Sequence, residues 1–454
     1  MKTSLRIVAL TCLIMAATHT SSQAADKVIK IGGLLPISGP GSYFGVQDKQ
    51  GVELALDQLK AGVNGYKFDV QYEDSACSPL PATQAAKRLL DQFQPDVVIG
   101  EECSDATLAV MPLMDQAKVP LLNAGSSSIK ITDPGNSYTF RIMPNEVMQG
   151  VDLATNAYKR LNAKTAVLVH ENTNAGIGNA KVFADTFGKL GGKILEDIGF
   201  GRDINDFTAI ATRIAGLGSI DVIPTYTLEG QGLKITEALT QAGIVKGGGG
   251  KAIQLGAIWL PFGFEQKAGK AALGYIRIVQ FDPTDQRPVV RDFVKNFKAK
   301  FNSDPTHLNA HAYDQIMLIA DVVKRGAKDA QSIRDGLATT KDFSGVTGSV
   351  EFDKTPSAHA LQARESRSKN RAAPWDRRRP SARRAKAVVD WVGYKRQGPV
   401  AVSSHLRVCR RFVFRDLAAQ AVQSSPLRRQ SDRAEHRCAP QIQDSHAPRD
   451  RHTD

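Results

Sequence analysis

No stretch of this 454-residue chain approaches the ~20 consecutive apolar residues that a membrane-crossing helix needs. Gly-x-Ser-x-Gly, His-Glu-x-x-His and a dinucleotide fingerprint after the first apolar strand are absent too. Their absence removes the commonest signatures of serine hydrolases, zinc proteases and nicotinamide enzymes. The run Gly247 to Gly250 does not replace them, because Lys251 is followed by Ala252 and no glycine stands at P-loop spacing. It reads as a flexible loop. Histidines number nine and are scattered; His170, at a strand end, reads as structural or ligand-contacting rather than as a general base. Cysteine is scarce, five in total. Cys12 lies in an N-terminal apolar run, and Cys409 and Cys438 lie in an atypical C-terminal region with no role assigned, which leaves Cys77 and Cys103 as a pair in the body of the chain.

What is present begins with a three-part leader, residues 1–24: basic Lys2 and Arg6, an apolar run from Ile7 to Ala17, then small residues ending Ser22-Gln23-Ala24. The run is too short to cross a bilayer. Ala9-Leu10-Thr11 before Cys12 is a poor match to a lipoprotein site, so Cys12 is expected to leave with the leader. A soluble, exported protein is expected, with a mature chain starting near Ala25. Export implies an oxidising compartment, where Cys77 and Cys103 favour a disulfide over a metal or redox site, two free buried thiols being the alternative. A bridge between them closes a loop worth ~3–4 kcal/mol in the chain-entropy model.

Acidic residues are short in one place only. From Thr355 to Asp454 there are 22 Lys+Arg against 9 Asp+Glu, whereas the preceding residues balance at 37 of each. Arginine dominates there, 19 to 3 lysines, against 11 arginines and 26 lysines before it. A nucleic-acid-binding arm has no purpose in an exported protein, and Trp375, Trp391 and Phe412 are more apolar than disordered tails usually are. The composition reads as GC-rich codons translated out of frame from about codon 355. Sequencing codons 345 to 365 should reveal an inserted or missing base, and an intact frame in independent isolates would refute the idea.

Between Lys27 and Asp353, short β-branched runs alternate with amphipathic stretches, the pattern of parallel strands covered by helices on both faces. Strands are expected at 28–35, 68–72, 97–100, 119–123, 166–170, 193–198, 222–226 and 253–258. Helices are expected at 51–60, 82–93, 105–117, 150–161, 180–190 and 230–242. About 330 residues exceed one core, so an α/β fold of two lobes is expected. Pro144 makes a helix through Phe140 to Pro144 unfavourable and places a lobe crossing there.

Several stretches in order carry a resemblance: Leu35-Pro36-Ile37-Ser38-Gly39-Pro40 with Phe44-Gly45; Tyr72 to Cys77 with Cys103-Ser104; Phe140-Arg141 to Pro144; Asp206-Phe207-Thr208 with Asp221-Val222-Ile223; Ala312-Tyr313-Asp314; and Phe343 to Gly348 with Phe352-Asp353. Together they resemble the periplasmic solute-binding proteins of the branched-chain amino acid transporter family, over residues 27–354. The resemblance implies a type I periplasmic-binding-protein fold, two Rossmann-like lobes with parallel sheets joined by three hinge crossings. It implies a first lobe of 25–142 and 283–342, a second of 143–282 and 343–354, and crossings near Arg141 to Pro144, Gln280 to Pro283 and Phe343. The region 355–454 is left outside both lobes.

Family members hold a ligand carboxylate with uncharged groups of the first lobe, which match Ser104 and Gly125-Ser126-Ser127 here. The residues agree, since both segments follow adjacent parallel strands and a helix start with serine hydroxyls makes an anion site without a cation. N-capping and loop roles are the alternative. The second-lobe acid that pairs with a ligand ammonium in the family has no counterpart in Gly256 to Leu260, and the family's motif tyrosine is Ala175. Tyr226, Trp259 and Phe262 are then the second-lobe cleft candidates, facing Phe44. An unpaired buried ammonium is costly, which tilts towards amine-free carboxylates or amides unless Glu171, Glu229 or Glu101, or a cation–π contact with Trp259, supplies the charge. The expected protein is a monomeric periplasmic receptor. It delivers a branched-chain amino acid or related small carboxylate to an inner-membrane ABC permease, with aromatic or aliphatic carboxylates or amides, or a ligand-sensing role, as alternatives. It has no enzymatic step, cofactor, metal or nucleic-acid partner.

Overall fold

The computed structural model describes residues 27–132, 137–256 and 264–352, with the pair 392–393. The leader, the stretch 257–263 with Trp259 and Phe262, and almost all of the arginine-rich region lie outside the described residues. Of two compact units, Met1–Arg396 and Gln397–Asp454, the first holds every residue discussed below.

Two parallel sheets form the frame. The first runs in the order β2-β1-β3-β4-β5, built from β1 (Lys27–Leu35), β2 (Tyr66–Asp74), β3 (Val97–Gly100), β4 (Leu121–Asn123) and β5 (Thr139–Arg141). The second runs β10-β9-β8-β6-β7, from β6 (Thr165–Glu171), β7 (Lys193–Phe200), β8 (Val222–Tyr226), β9 (Ile253–Gly256) and β10 (Ile276–Val279). At its β10 edge, Val392–Gly393 pair in parallel with Ile278 and Val279. Strands buried on both faces read as continuous apolar runs. In β6, Ala166 and Leu168 enter one core while Val167 and Val169 enter the other, as the two-residue period requires.

Crossover helices cover both faces: α1 (Ser42–Gln58), α2 (Pro79–Arg88) and α3 (Ser104–Ala117) belong to the first sheet. The second sheet carries α4 (Glu146–Lys159), α5 (Asn174–Lys189), α6 (Thr208–Ala215), α7 (Glu229–Gln241) and the short α8 (Phe264–Ala268). After β10 the chain returns to the first sheet with α9 (Pro288–Phe301), α10 (His307–Lys324) and α11 (Ala330–Ala338). Phe281, Val290, Phe293 and Ile316 join Ile29, Ile31 and Phe140 in one core. Thr306 caps α10 with a reciprocal Thr306–Asn309 box.

Two local expectations change. Phe140 and Arg141 belong to a strand of the first sheet, and the crossing follows them into α4, capped by Asn145. The segment 343–354, expected in the second lobe, packs on the first as far as it is described. Val346, Val350 and Phe352 are buried in the first core, Phe352 edge-on to Phe140 at 5.2 Å. Asp314 of α10 accepts the amides of Val346 and Thr347, each at 2.8 Å, and Arg287 donates to the carbonyls of Gly345 and Val346. Those bonds hold three apolar side chains against α10 rather than sending the chain across. Among the described residues no helix is long and apolar enough to cross a membrane.

Candidate functional site

The cleft lies beyond the carboxyl ends of β3 and β4, where ligands of open α/β sheets bind. Cys103, in extended conformation, turns the chain from β3 into α3, so Ser104 stands at the helix start. Cys77 and Cys103 form the expected disulfide, with Cα atoms 5.3 Å apart. It ties the β2–α2 loop to the entrance of α3. After β4, the loop 124–128 is held from beneath by Arg141, whose buried guanidinium donates to Ser128 O at 2.6 Å and to Thr132 Oγ1 at 2.6 Å. Burial lowers its pKa to about 10, against the pull of Glu146, so it stays charged at neutral pH.

A narrow cleft lies between the lobes. Phe44, Ser104, Gly125 and Ser127 line it, as the sequence suggests. Ser126 does not. Its hydroxyl turns inward to Thr107 Oγ1 at 2.7 Å and Glu101 O at 2.9 Å, so it fastens the loop. Tyr226 is also displaced from its expected place: it is 1% exposed in the core beneath α4 and α5 with Val222 and Phe183. The period of β8 sends Val222 and Tyr226 to the same side and Ile223 to the other. Burial raises the Tyr226 pKa, keeping the phenol neutral. Trp259 and Phe262 lie outside the described residues. His170 sits between Asp197, 3.1 Å from its Nε2, and the Glu171 carbonyl, 2.9 Å from its Nδ1, and is absent from the cleft lining.

The second lobe contributes Glu171, Thr173, Ala175, Arg202 and Leu228 instead. Met143 and Gln280 line the cleft from the two crossings, and His307 and Leu308 line it from the start of α10. Leu228 packs with Phe44 and Leu308, an apolar contact from lobe to lobe. Polar bridges accompany it. Arg202 donates to Glu171 Oε2 at 3.2 Å and, through Nη1, to Cys77 O at 2.7 Å. Asp105 accepts from the Asn174 amide at 3.3 Å, and Asn179 donates to Ser127 Oγ at 3.2 Å. The described conformation is therefore one in which the lobes touch.

Four buried acids surround the first-lobe side of this cleft or face it. Glu101 lies behind the lining, hydrogen-bonded by Ser75 at 2.6 Å and by the Cys103 amide; burial nonetheless raises its pKa to about 7. Glu102 lines the cleft, lies over Gly125 and contacts Asp48 of α1. Burial raises the pKa of both members of the pair, and Glu102 is raised further by the charge of Glu101. Two touching carboxyls without a cation do not readily ionise together, and Glu102 is pushed up to about 8. Glu171, 1% exposed, is also raised by burial, against the pull of Arg202 and the Leu228 amide, and its Oε1 makes no hydrogen bond among the described residues. His307 and His311 are pushed down to about 3 and about 4, chiefly by burial, and are neutral at physiological pH. No group of three His, Cys, Asp or Glu among the described residues could hold a metal.

Glu102 is the residue that sequence reasoning missed. The double acid Glu101-Glu102 at the end of β3, directly before Cys103-Ser104, was the available signal.

A profile of the family described as periplasmic binding protein matches residues 28–364. The chain belongs to the periplasmic binding protein family. The match runs past Lys354, where the resemblance read from motifs ends. This binding protein is 26% identical over 352 residues to the leucine-, isoleucine-, valine-, threonine- and alanine-binding protein of Pseudomonas aeruginosa, covering 75% of this chain and 90% of that one. It is 32% identical over 197 residues to an amino acid binding protein of the same organism, which takes in 43% of this chain and spans about half, 52%, of that relative. Among solved structures, the branched-chain amino acid binding protein LivJ of Streptococcus pneumoniae, in complex with isoleucine, superposes with a TM-score of 0.67 at 30% identity, covering 74% of this chain and 94% of that one. A Rhodopseudomonas palustris solute binding protein in complex with 3,4-dihydroxybenzoic acid has the same fold, with a TM-score of 0.67 at 22% identity and coverage of 74% and 91%. The type I fold of two parallel-sheet lobes is the one expected from the sequence. Proteins of this family are the substrate-binding components of ABC transporters, which bind and deliver rather than catalyse.

Proposed function

We propose that the protein is the extracytoplasmic receptor of an ABC importer and that its ligand is a small α-amino acid held between the lobes. Residues 1–24 export it, and the inner-membrane permease receives the ligand. The observation that carries the reading is one cleft lined by an uncharged anion site, by carboxyls from both lobes and by apolar side chains. The α3 start with Ser104, Gly125 and Ser127 suits a carboxylate. Glu102 and Glu171 suit an ammonium, and Phe44, Leu228 and Leu308 suit an apolar side chain. A ligand with a carboxylate alone brings no cation to Glu102, which faces the cleft without a basic side chain hydrogen-bonded to it among the described residues. The relatives whose names give leucine, isoleucine and valine as ligands support the same choice.

One observation favours a second reading. Glu102 with its raised pKa can hold a proton and donate it to an amine-free acid, the ligand class named for the R. palustris neighbour. Thermal unfolding of the mature chain decides between them. A ligand at ~100 times its dissociation constant stabilises by about 2.7 kcal/mol. The amino-acid reading expects leucine or a relative to raise the midpoint while isovalerate and benzoate leave it in place; the reverse result overturns it.

A further inference from the structure

The ammonium partner usually sought on the second lobe has a counterpart on the first. Glu102 is 7% exposed, lines the cleft and is two residues from Ser104. It lies so close over Gly125 that a Cβ there would collide with its carboxylate. The carboxylate subsite and this acid therefore share one short surface. The α-carboxylate and α-ammonium of an amino acid are separated by a single carbon, so a surface of that size can take both. A second observation points to the same cation: Glu171, on the opposite wall and almost fully buried, has an oxygen with no hydrogen-bond partner among the described residues.

We infer that Glu102 is the specificity-determining residue that admits amine-bearing solutes and turns away amine-free acids, and that Asp48 positions it by keeping its own proton when Glu102 ionises beside a bound ammonium. With that proton on Asp48, its O–H donates to Glu102 and leaves the negative charge on the member of the pair that faces the ligand. The inference rests on the amino-acid reading above and names the residue that would enforce it. The groups that bear on the Glu102 charge are Asp48 from α1, Glu101 in its own loop, Asp105 in the first turn of α3, Glu171 and Arg202 across the cleft, and neutral His307 at the start of α10. Carboxyls outnumber the single cation, and that cation already spans Glu171 and the Cys77 carbonyl. An incoming ammonium favours the ionised form of Glu102, whereas an incoming carboxylate brings it no partner.

The test is calorimetric titration of the mature protein with the twenty amino acids and their deaminated acid counterparts, from pH 5 to 8, for wild type, Glu102→Gln and Asp48→Asn. At least one amino acid is expected to bind wild type and its deaminated acid not to. Affinity should rise with pH as Glu102 ionises. E102Q should weaken that amino acid on the order of 100-fold, as losing one partner of a buried charge pair does, and make its residual binding less dependent on pH than wild type. D48N, whose amide can donate to Glu102 as a protonated Asp48 does, should stay within a few-fold of wild type. An amino acid that binds wild type and E102Q equally, or a wild-type profile flat across the range, overturns the inference and leaves the amino-acid reading standing. Binding of deaminated acids alone, or of nothing in the panel, overturns both. Should E102Q fail to fold, Glu102→Asp, which keeps the carboxyl but draws it back by one carbon, takes its place: a several-fold loss for the amino acid is expected, and no loss overturns the inference.

Discussion

At the residue scale, this protein stores acids where water is scarce. Glu101 and Glu146 are each raised to about 7, Asp314 to about 6, and Asp48 and Glu102 are raised as a pair, with burial the leading cause throughout. In the unfolded chain these groups ionise near pH 4, so between there and pH 8 the folded state binds more protons than the unfolded one. By linkage, the ligand-free protein loses stability as pH rises through that window. A group moved from 4.5 to about 7, such as Glu101, accounts for up to ~3 kcal/mol of the loss. Chemical denaturation should give a higher midpoint at pH 5 than at pH 8, and Glu101→Gln should flatten the difference. Gly125→Ala is a milder probe, because the atoms in its way belong to the end of one side chain, that of Glu102. It should fold with stability within about 1 kcal/mol of wild type yet lose ligand affinity by a measurable factor. Ser104, Gly125 and Ser127 were legible from their place after strands. The inward turn of Ser126 was not, because adjacent serines look alike in a sequence and only Thr107 and the Glu101 carbonyl separate them.

At the element scale, the strands with long apolar runs could be read, whereas β5 could not. Three residues beside Pro144 give no period to detect, and its pairing with β4 depends on partners set by the rest of the sheet. Tyr226 was misplaced for a related reason: the sequence shows that β8 alternates, but which face meets the cleft depends on the helices that cover it. The loop after β7 was silent as well, though it carries Arg202 to the disulfide loop of the other lobe. Arg202→Ala should therefore weaken ligand binding by roughly tenfold, the value of a charge-assisted hydrogen bond or two. Because Glu171 loses its cationic partner at the same time, the ligand-free unfolding midpoint should fall as well, and less at pH 5, where Glu171 can take up a proton, than at pH 8. Asp314 is a fastener of another kind, taking two amides and the Thr347 hydroxyl of the final segment. Asp314→Ala leaves those buried donors unmet and should destabilise by about 2–4 kcal/mol, with Phe352 released from Phe140 as a change in near-ultraviolet circular dichroism.

At the scale of the whole molecule, two similar sheets are joined by connecting segments with a cleft between them, and the first is completed by helices from late in the chain. The described contacts across the cleft are mainly hydrogen bonds, with one apolar cluster at Leu228, which suits a joint that opens and shuts. The disulfide sits at that joint. Its Cys77 carbonyl is the acceptor for Arg202, and Cys103 leads into the helix start that lines the site. Replacing both cysteines by serine should cost about 2–5 kcal/mol in unfolding free energy. The second effect concerns time rather than stability. With the loop untethered, the carbonyl that catches Arg202 wanders, and a captured solute should escape sooner even at temperatures where the fold is intact. Formation of this one disulfide would then set how long a bound solute is kept, and in the proposed receptor role incomplete thiol oxidation would lower uptake while leaving a folded protein.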